Sequence, residues 1–230
     1  MTTLRSALFL LWFAVSSAVL AITFLPILLL PRHFNVWLAR LWAHATFLGL
    51  RVITGIRFEV RGTAPKGAVL VAAKHMSMWD TLALGVLLDQ PGIVLKRELL
   101  FVPFYGWYLW RAAAIPIDRD GGGDALRRMV RDARQTLVEN RSILIFPEGT
   151  RQKPGAAPDY KPGVAGLYAM LHVPCVPVAL NSGVYWQGFI KKPGTIVLEF
   201  LEPIPAGLRR PQFMALLEQR IETATAALLP

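Results

Sequence analysis

The hydrophobic pattern changes character near Gly55. Ahead of it, residues 6–30 run without a single charge and are dominated by Leu, Phe, Ala and Val. That is long enough for a helix crossing a bilayer, with Pro26 expected to kink it near its end. Residues 35–52 then repeat apolar positions at helical spacing (Val36, Leu38, Leu41, Trp42, Phe47, Leu48) among arginines and His44. This predicts an amphipathic helix lying at a membrane interface, against the first helix, or on a domain core. After Gly55, short apolar runs alternate with helical periodicity, the pattern of an α/β domain. Strands are expected at 57–60, 69–73, 92–95, 114–116, 143–146, 176–180 and 195–200, and helices at 79–88, 124–140, 163–171 and 211–228. The fold class is therefore α/β, a mixed and largely parallel central sheet flanked by helices, carrying an N-terminal membrane-associated helical pair. The expected division is 1–55 for the anchoring helices and 56–230 for the second domain.

Composition strengthens the membrane reading. Hydrophobic residues make up 54% of the chain, mean hydropathy is +0.42 and only 17% of residues are charged, so apolar surface must be placed somewhere, most simply in lipid. Lysine and arginine exceed the acids by 25 to 15, a balance that favours anionic lipid head groups or acidic soluble partners. Nucleic acid is disfavoured, because no recognition motif accompanies the charge. For residues 6–30 three readings compete: a spanning helix, a segment dipping into one leaflet, and a secretory signal. The last is weakened because the apolar run continues past Ser16-Ser17-Ala18. If the helix spans, Arg32, Arg40, Arg51 and Arg57 outnumber Arg5 and place the bulk of the protein in the cytoplasm.

Residues 99–110 crowd together Leu99, Leu100, Phe101, Phe104, Tyr105, Trp107, Tyr108 and Trp110, either a second surface touching the bilayer or a core under a loop. Arg127, Arg128, Arg131 and Arg134 on the helix 124–140 form a solvated face or a support for acidic partners. Cys175 is the only cysteine, which rules out an intrachain disulfide and fits a small buried residue.

The chemistry concentrates in Ala73-Lys74-His75-Met76-Ser77-Met78-Trp79-Asp80. Five positions on a straight helix amount to roughly 500° of rotation, so His75 and Asp80 meet only if a bend lies between them. The sequence supplies one, since an apolar strand precedes His75 and Ser77 suits the N-cap of the next helix, with Asp80 at its third position. A carboxylate holding a histidine fixes its tautomer and stabilises the imidazolium, which suits a general base acting on a hydroxyl. The plain alternative is a capping-box aspartate beside an ordinary loop histidine.

A second constellation follows the expected strand 143–146: Pro147-Glu148-Gly149-Thr150-Arg151. Ligand sites gather at the carboxyl ends of strands in α/β sheets, so Gly149, Thr150 and Arg151 make a phosphate cradle, or else a plain turn. Glu148 can orient an arginine or accept a substrate hydroxyl. Further cations stand at two other strand ends, Lys96 in Lys96-Arg97-Glu98-Leu99 and Arg119 in Ile117-Asp118-Arg119.

These blocks, taken in order from His75 and Asp80 through Lys96 to Leu99 with Pro103 and Gly106, Ile117-Asp118-Arg119, Phe146 to Arg151 and Val176-Pro177-Val178-Ala179, resemble the glycerolipid acyltransferase family, specifically the bacterial 1-acylglycerol-3-phosphate acyltransferases. The resemblance covers roughly residues 70–180. It implies that His75, oriented by Asp80, deprotonates the free hydroxyl of lysophosphatidic acid, which attacks an acyl thioester on coenzyme A or acyl carrier protein and yields phosphatidic acid. Acyl-CoA or acyl-ACP would serve as donor substrate, with no cofactor, metal or acyl-enzyme required. Glu148, Gly149, Thr150 and Arg151 would line the glycerol phosphate, with Arg119 and Lys96 adding positive charge. Two departures from the family pattern, Lys74 where an asparagine is usual and Gln152 where a small hydroxyl residue is usual, bear on the acceptor. The remaining alternatives are another lyso-lipid acceptor, such as a lyso-ornithine lipid, and a non-catalytic lipid-binding membrane protein. A serine hydrolase is disfavoured, since no G-x-S-x-G elbow occurs.

Overall fold

The structure, a computed structural model, describes residues 1–118 and 122–230. In chain order the elements are α1 (Thr2–Thr23), a 3-10 turn (Leu25–Leu29), α2 (Arg32–Gly49), a wide turn (Leu50–Thr54), β1 (Ile56–Arg61), β2 (Leu70–Ala73), α3 (Met78–Leu87) and β3 (Gly92–Lys96). A second 3-10 turn (Arg97–Phe101) leads into α4 (Tyr105–Arg111), β4 (Ile115–Ile117), α5 (Gly122–Val138), β5 (Ile143–Ile145), α6 (Gly163–Leu171) and β6 (Cys175–Leu180). The chain ends with α7 (Ser182–Tyr185), the short strands β7 (Trp186–Gln187) and β8 (Ile190–Lys191), β9 (Gly194–Phe200) and α8 (Arg210–Leu228).

Among the described residues the main sheet runs β1-β9-β6-β2-β5-β3-β4, and every neighbouring pair is parallel except β6 with β9. The sheet is thus mixed and largely parallel, as the alternating texture predicts. Strands β2 and β6 are buried at every position, which is why they read as unbroken apolar runs rather than as alternating ones. Within them, side chains still divide by parity. Val71, Ala73, Leu144 and Val178 face the core that holds Phe9, Leu50 and Trp79, while Leu70, Ala72, Ile143 and Ile145 face Met129, Tyr168, Phe213 and Leu217. One layer is therefore built on α1, the end of α2 and α3, and the other on α5, α6 and α8.

The N-terminal helix ends earlier than its composition predicts. α1 stops at Thr23, and Pro26 opens the 3-10 turn, a place where its missing N–H is not needed. α1 lies along α2: Trp12 Nε1 donates to the Ala45 carbonyl at 3.0 Å and Trp42 Nε1 to Ser17 Oγ at 2.8 Å. The approach is close enough that a Cβ at Gly49 would stand 2.3 Å from the Trp12 ring. Gly55, at φ +76°, turns the chain from the wide turn into β1, a left-handed conformation that a residue with a Cβ adopts only at a cost.

Candidate active site

Lys74 and His75 follow β2 directly, and the chain bends there because Ser77 caps α3. Ser77 Oγ accepts from Trp79 N at 3.2 Å, and Asp80 Oδ2 accepts from Ser77 N at 2.8 Å and from Met76 N at 2.7 Å. The same Oδ2 lies 3.0 Å from His75 Nδ1. Capping and histidine orientation, alternatives in the sequence, are one arrangement: the carboxylate that starts the helix also holds the imidazole. Asp80 is fully buried, and its Oδ1 accepts from the hydroxyl of Ser182 at the start of α7, which in turn accepts from Ser77 Oγ at 2.8 Å. Backbone and hydroxyl donors surround the carboxylate, and Oδ2 faces the imidazole as an acceptor. Nδ1 therefore carries the proton and Nε2 the lone pair, and among the described residues no hydrogen bond holds Nε2. The ring stacks on Phe146 with centroids 4.0 Å apart, so its plane is fixed from the side as well.

The second block sits against the first. Gly149, at φ +66°, tightens the turn after β5, with Gly149 N donating to the Phe146 carbonyl at 2.9 Å. Gln152 N then donates to the carbonyl of His75 at 2.8 Å, tying the two motifs together. Glu148 is buried, with Oε1 2.6 Å from Lys74 Nζ and Oε2 accepting from His75 N at 3.3 Å. Burial pushes its carboxyl up from the usual range, against the opposing pull of Lys74. Thr150 and Arg151 are exposed. Burial raises the Tyr105 hydroxyl of α4, and the charge of Arg151 opposes that shift, which puts the guanidinium within electrostatic reach of the aromatic segment. Lys96 is exposed at the end of β3, where its register partner is Ile117 of β4, and Arg97 lies 3.9 Å from Asp118. Arg119 lies outside the described residues.

Because β2, β5, β3 and β4 are adjacent and parallel, His75, the block from Glu148 to Arg151, and Lys96 all lie at one edge of the sheet. Sequence reasoning missed Ser182, Phe146 as a stacking partner, Glu222 and Tyr160. None is near His75 and Asp80 in the chain, and apart from Phe146, which opens the Phe146 to Arg151 block, no local pattern marks them. Among the described residues no cluster of His, Cys, Asp and Glu is disposed to hold a metal ion. Cys175 is buried and its thiol pushed up by that burial, in keeping with a packing role.

An imidazole held by a carboxylate thus stands at the carboxyl edge of an α/β sheet, the same edge that carries Arg151. The family described as Acyltransferase matches residues 56–181, more than half of the chain, and the protein belongs to that family of acyl-transfer enzymes. Over 226 residues it is 34% identical to the 1-acyl-sn-glycerol-3-phosphate acyltransferase of Pseudomonas aeruginosa, covering 95% of this chain and 88% of that one. It is also 34% identical over 222 residues to the mouse 1-acyl-sn-glycerol-3-phosphate acyltransferase alpha, covering 84% of this chain and 75% of the relative. The fold matches the crystal structure of the 1-acyl-sn-glycerophosphate (LPA) acyltransferase PlsC from Thermotoga maritima with a TM-score of 0.80 at 20% identity, over 99% of this chain and 98% of that one.

Proposed function

We propose that this acyltransferase moves an acyl chain from acyl-CoA or acyl-ACP to the free hydroxyl of 1-acylglycerol-3-phosphate, releasing phosphatidic acid and the free thiol. What carries the reading is the 3.0 Å contact between His75 Nδ1 and Asp80 Oδ2, which leaves Nε2 as the acceptor of a proton. Nε2 takes the hydroxyl proton of the acceptor as its oxygen attacks the thioester carbonyl. The tetrahedral intermediate collapses with loss of the thiolate, which recovers the proton from the imidazolium. Asp80 holds the ring and offsets its transient positive charge. Thr150 and Arg151, with Lys96 and Arg119, bind the phosphate, Gly149 allows close backbone approach, and Glu148 braces the His75 backbone beneath it.

The names of the relatives, with the basic residues at this sheet edge, support a phosphate-bearing acceptor. The most apolar 18 residues of the 22-residue α1 have a mean hydropathy of 2.0 and only 11% of them are buried, and we place this helix in the inner membrane with residues 56–230 on the cytoplasmic side. Its N-terminal part is not free to cross, because Ser6 and Phe9 are buried against the β7–β8 hairpin. Partial embedding along the exposed face fits that packing better than a full span.

Purified protein assayed against a panel of donors and lyso-lipid acceptors tests the reading. Transfer to 1-acylglycerol-3-phosphate should dominate, and His75→Ala should lower kcat by about 10²–10⁴ without loss of fold. Near-normal turnover in that variant would remove the histidine from the mechanism. Arg151→Ala should raise KM for the phosphate-bearing acceptor, and an unchanged KM would move the phosphate site elsewhere.

A further inference from the structure

Directly beneath the His75 turn lies a buried ionic cluster in which the proposed acyl transfer leaves Lys74 and Glu222 without a part. Lys74 is 2% exposed, and its ammonium meets Glu148 Oε1 at 2.6 Å, Glu222 Oε1 at 2.8 Å and Glu222 Oε2 at 3.0 Å. Those contacts engage an ammonium's full set of donors. Tyr160 donates to Glu222 Oε1 at 2.8 Å, and burial together with Glu222 keeps that phenol protonated. On the other side Glu148 Oε2 receives His75 N. An unbroken chain of polar contacts therefore runs from α8 through Glu222, Lys74 and Glu148 to the backbone of the proposed base.

A buried lysine with two carboxylates is a costly arrangement that apolar residues of similar volume commonly replace without loss of stability. Its position argues for a role other than stability. Lys74 adjoins His75 in the chain, and α8 is already seated on the sheet by Phe213, Leu217 and Ile221. α8 meets the site a second time where Asn181 Nδ2 donates to the Leu228 carbonyl at 2.9 Å, next to the Ser182 that binds Asp80.

We infer that Lys74 and Glu222 are positioning residues for the acyl-transfer step, and that α8 is through them a working part of the active site. The inference rests on the reading of His75 as general base. The charged groups around the turn are Lys74 itself, Asp80 from α3, Glu148 after β5 and Glu222 from α8, with the neutral Tyr160 phenol and Glu218 beyond it.

The deciding variant is Glu222→Gln, which changes a side chain one-quarter exposed and keeps a hydrogen-bonding amide in place. It should lower kcat by about ten- to a hundredfold, with KM for donor and acceptor unchanged, the cost of a slightly misplaced base. Removing a negative charge near the imidazolium should also move the acid limb of the kcat/KM profile to lower pH, which a smaller folded fraction cannot do. Lys74→Met should lower kcat at least as far. Arg220→Ala serves as control. It removes another anchor of α8, the 2.6 Å hydrogen bond to the Glu202 carbonyl, and should lower thermal stability while leaving kcat and the pH profile as they were. Wild-type kcat and an unmoved acid limb in Glu222→Gln would overturn the inference even with His75→Ala inactive. An active His75→Ala would instead defeat the reading beneath it.

Discussion

At the scale of single residues, the economy of the site lies in Asp80, whose two oxygens serve a helix cap, an imidazole and a serine pair at once. Substitution should separate these roles. In Asp80→Asn the amide oxygen can take the place of Oδ2, still accepting from Met76 N, Ser77 N and His75, while its NH2 group donates to hydroxyls of Ser77 and Ser182 that are free to rotate. Only the charge is lost. kcat should fall by about 10–10², the worth of a charge-assisted hydrogen bond to the imidazolium, with the fold intact. Asp80→Ala also strips the cap and strands buried donors, so denaturant unfolding should show a further loss of about 1–3 kcal/mol. Wild-type kcat in Asp80→Asn would mean that charge is not what Asp80 contributes. This pair was legible in the sequence because bend, cap and carboxylate fall within six consecutive residues. The partners of Lys74 and of Asp80 were not, since they lie 74, 148 and 102 positions away and meet only when the sheet forms.

At the scale of elements, long periodic segments after α1 were read within a few residues of their bounds, whereas α1 ends seven residues short of its apolar run and the stretch from Ser182 to Lys191 was not read at all. Two-residue strands carry no period to detect, yet this hairpin is what seats α1. Phe9 meets the Trp186 ring edge-on at 5.5 Å, Ser6 Oγ accepts from Lys191 N at 2.9 Å, and Lys191 Nζ lies 4.9 Å from the Trp186 ring. The ammonium is held by the carbonyls of Gly188 and Phe189 rather than by a carboxylate, and burial brings its pKa down to about 8. Since the folded pKa lies below the unfolded one, the unfolded chain binds more protons between about pH 8 and about pH 10.5. The penalty of burying the charge is present in full below that window and vanishes above it. The stability of the wild type relative to Lys191→Met should accordingly rise across the window, measured by denaturant unfolding at fixed ionic strength. A difference that stays flat there would show that the ammonium remains solvated in the folded state.

At the scale of the whole molecule, two apolar segments that the sequence presents separately are joined. Tyr108 of α4 donates to the Ala21 carbonyl at 2.8 Å and Arg111 Nε to the Leu28 carbonyl at 2.9 Å, which pins the aromatic segment to the corner between α1 and α2. Phe101 and Trp110 are each more than 70% exposed, and Leu4, Leu11, Val15 and Ile22 of α1 are each more than half exposed. The sequence alone left residues 99–110 open between core and membrane surface, because aromatic density is the same in both and the contacts of α4 with Ala21 and Leu28 leave no local pattern. Exposed apolar side chains on both segments of a chain with net charge +10 lead us to expect that this side docks on an anionic bilayer. Replacing Trp107 and Trp110 together by glutamate should weaken sedimentation with vesicles containing anionic lipid and slow transfer to acceptor embedded in them. Turnover of a short-chain acceptor dispersed in detergent should hardly change, since neither tryptophan touches His75 or Asp80. Binding of the wild type should fall as salt rises toward a remainder set by apolar burial, because screening removes the charge attraction and leaves the hydrophobic part. If the double variant loses both activities equally, the aromatic segment belongs to the catalytic fold rather than to the membrane face.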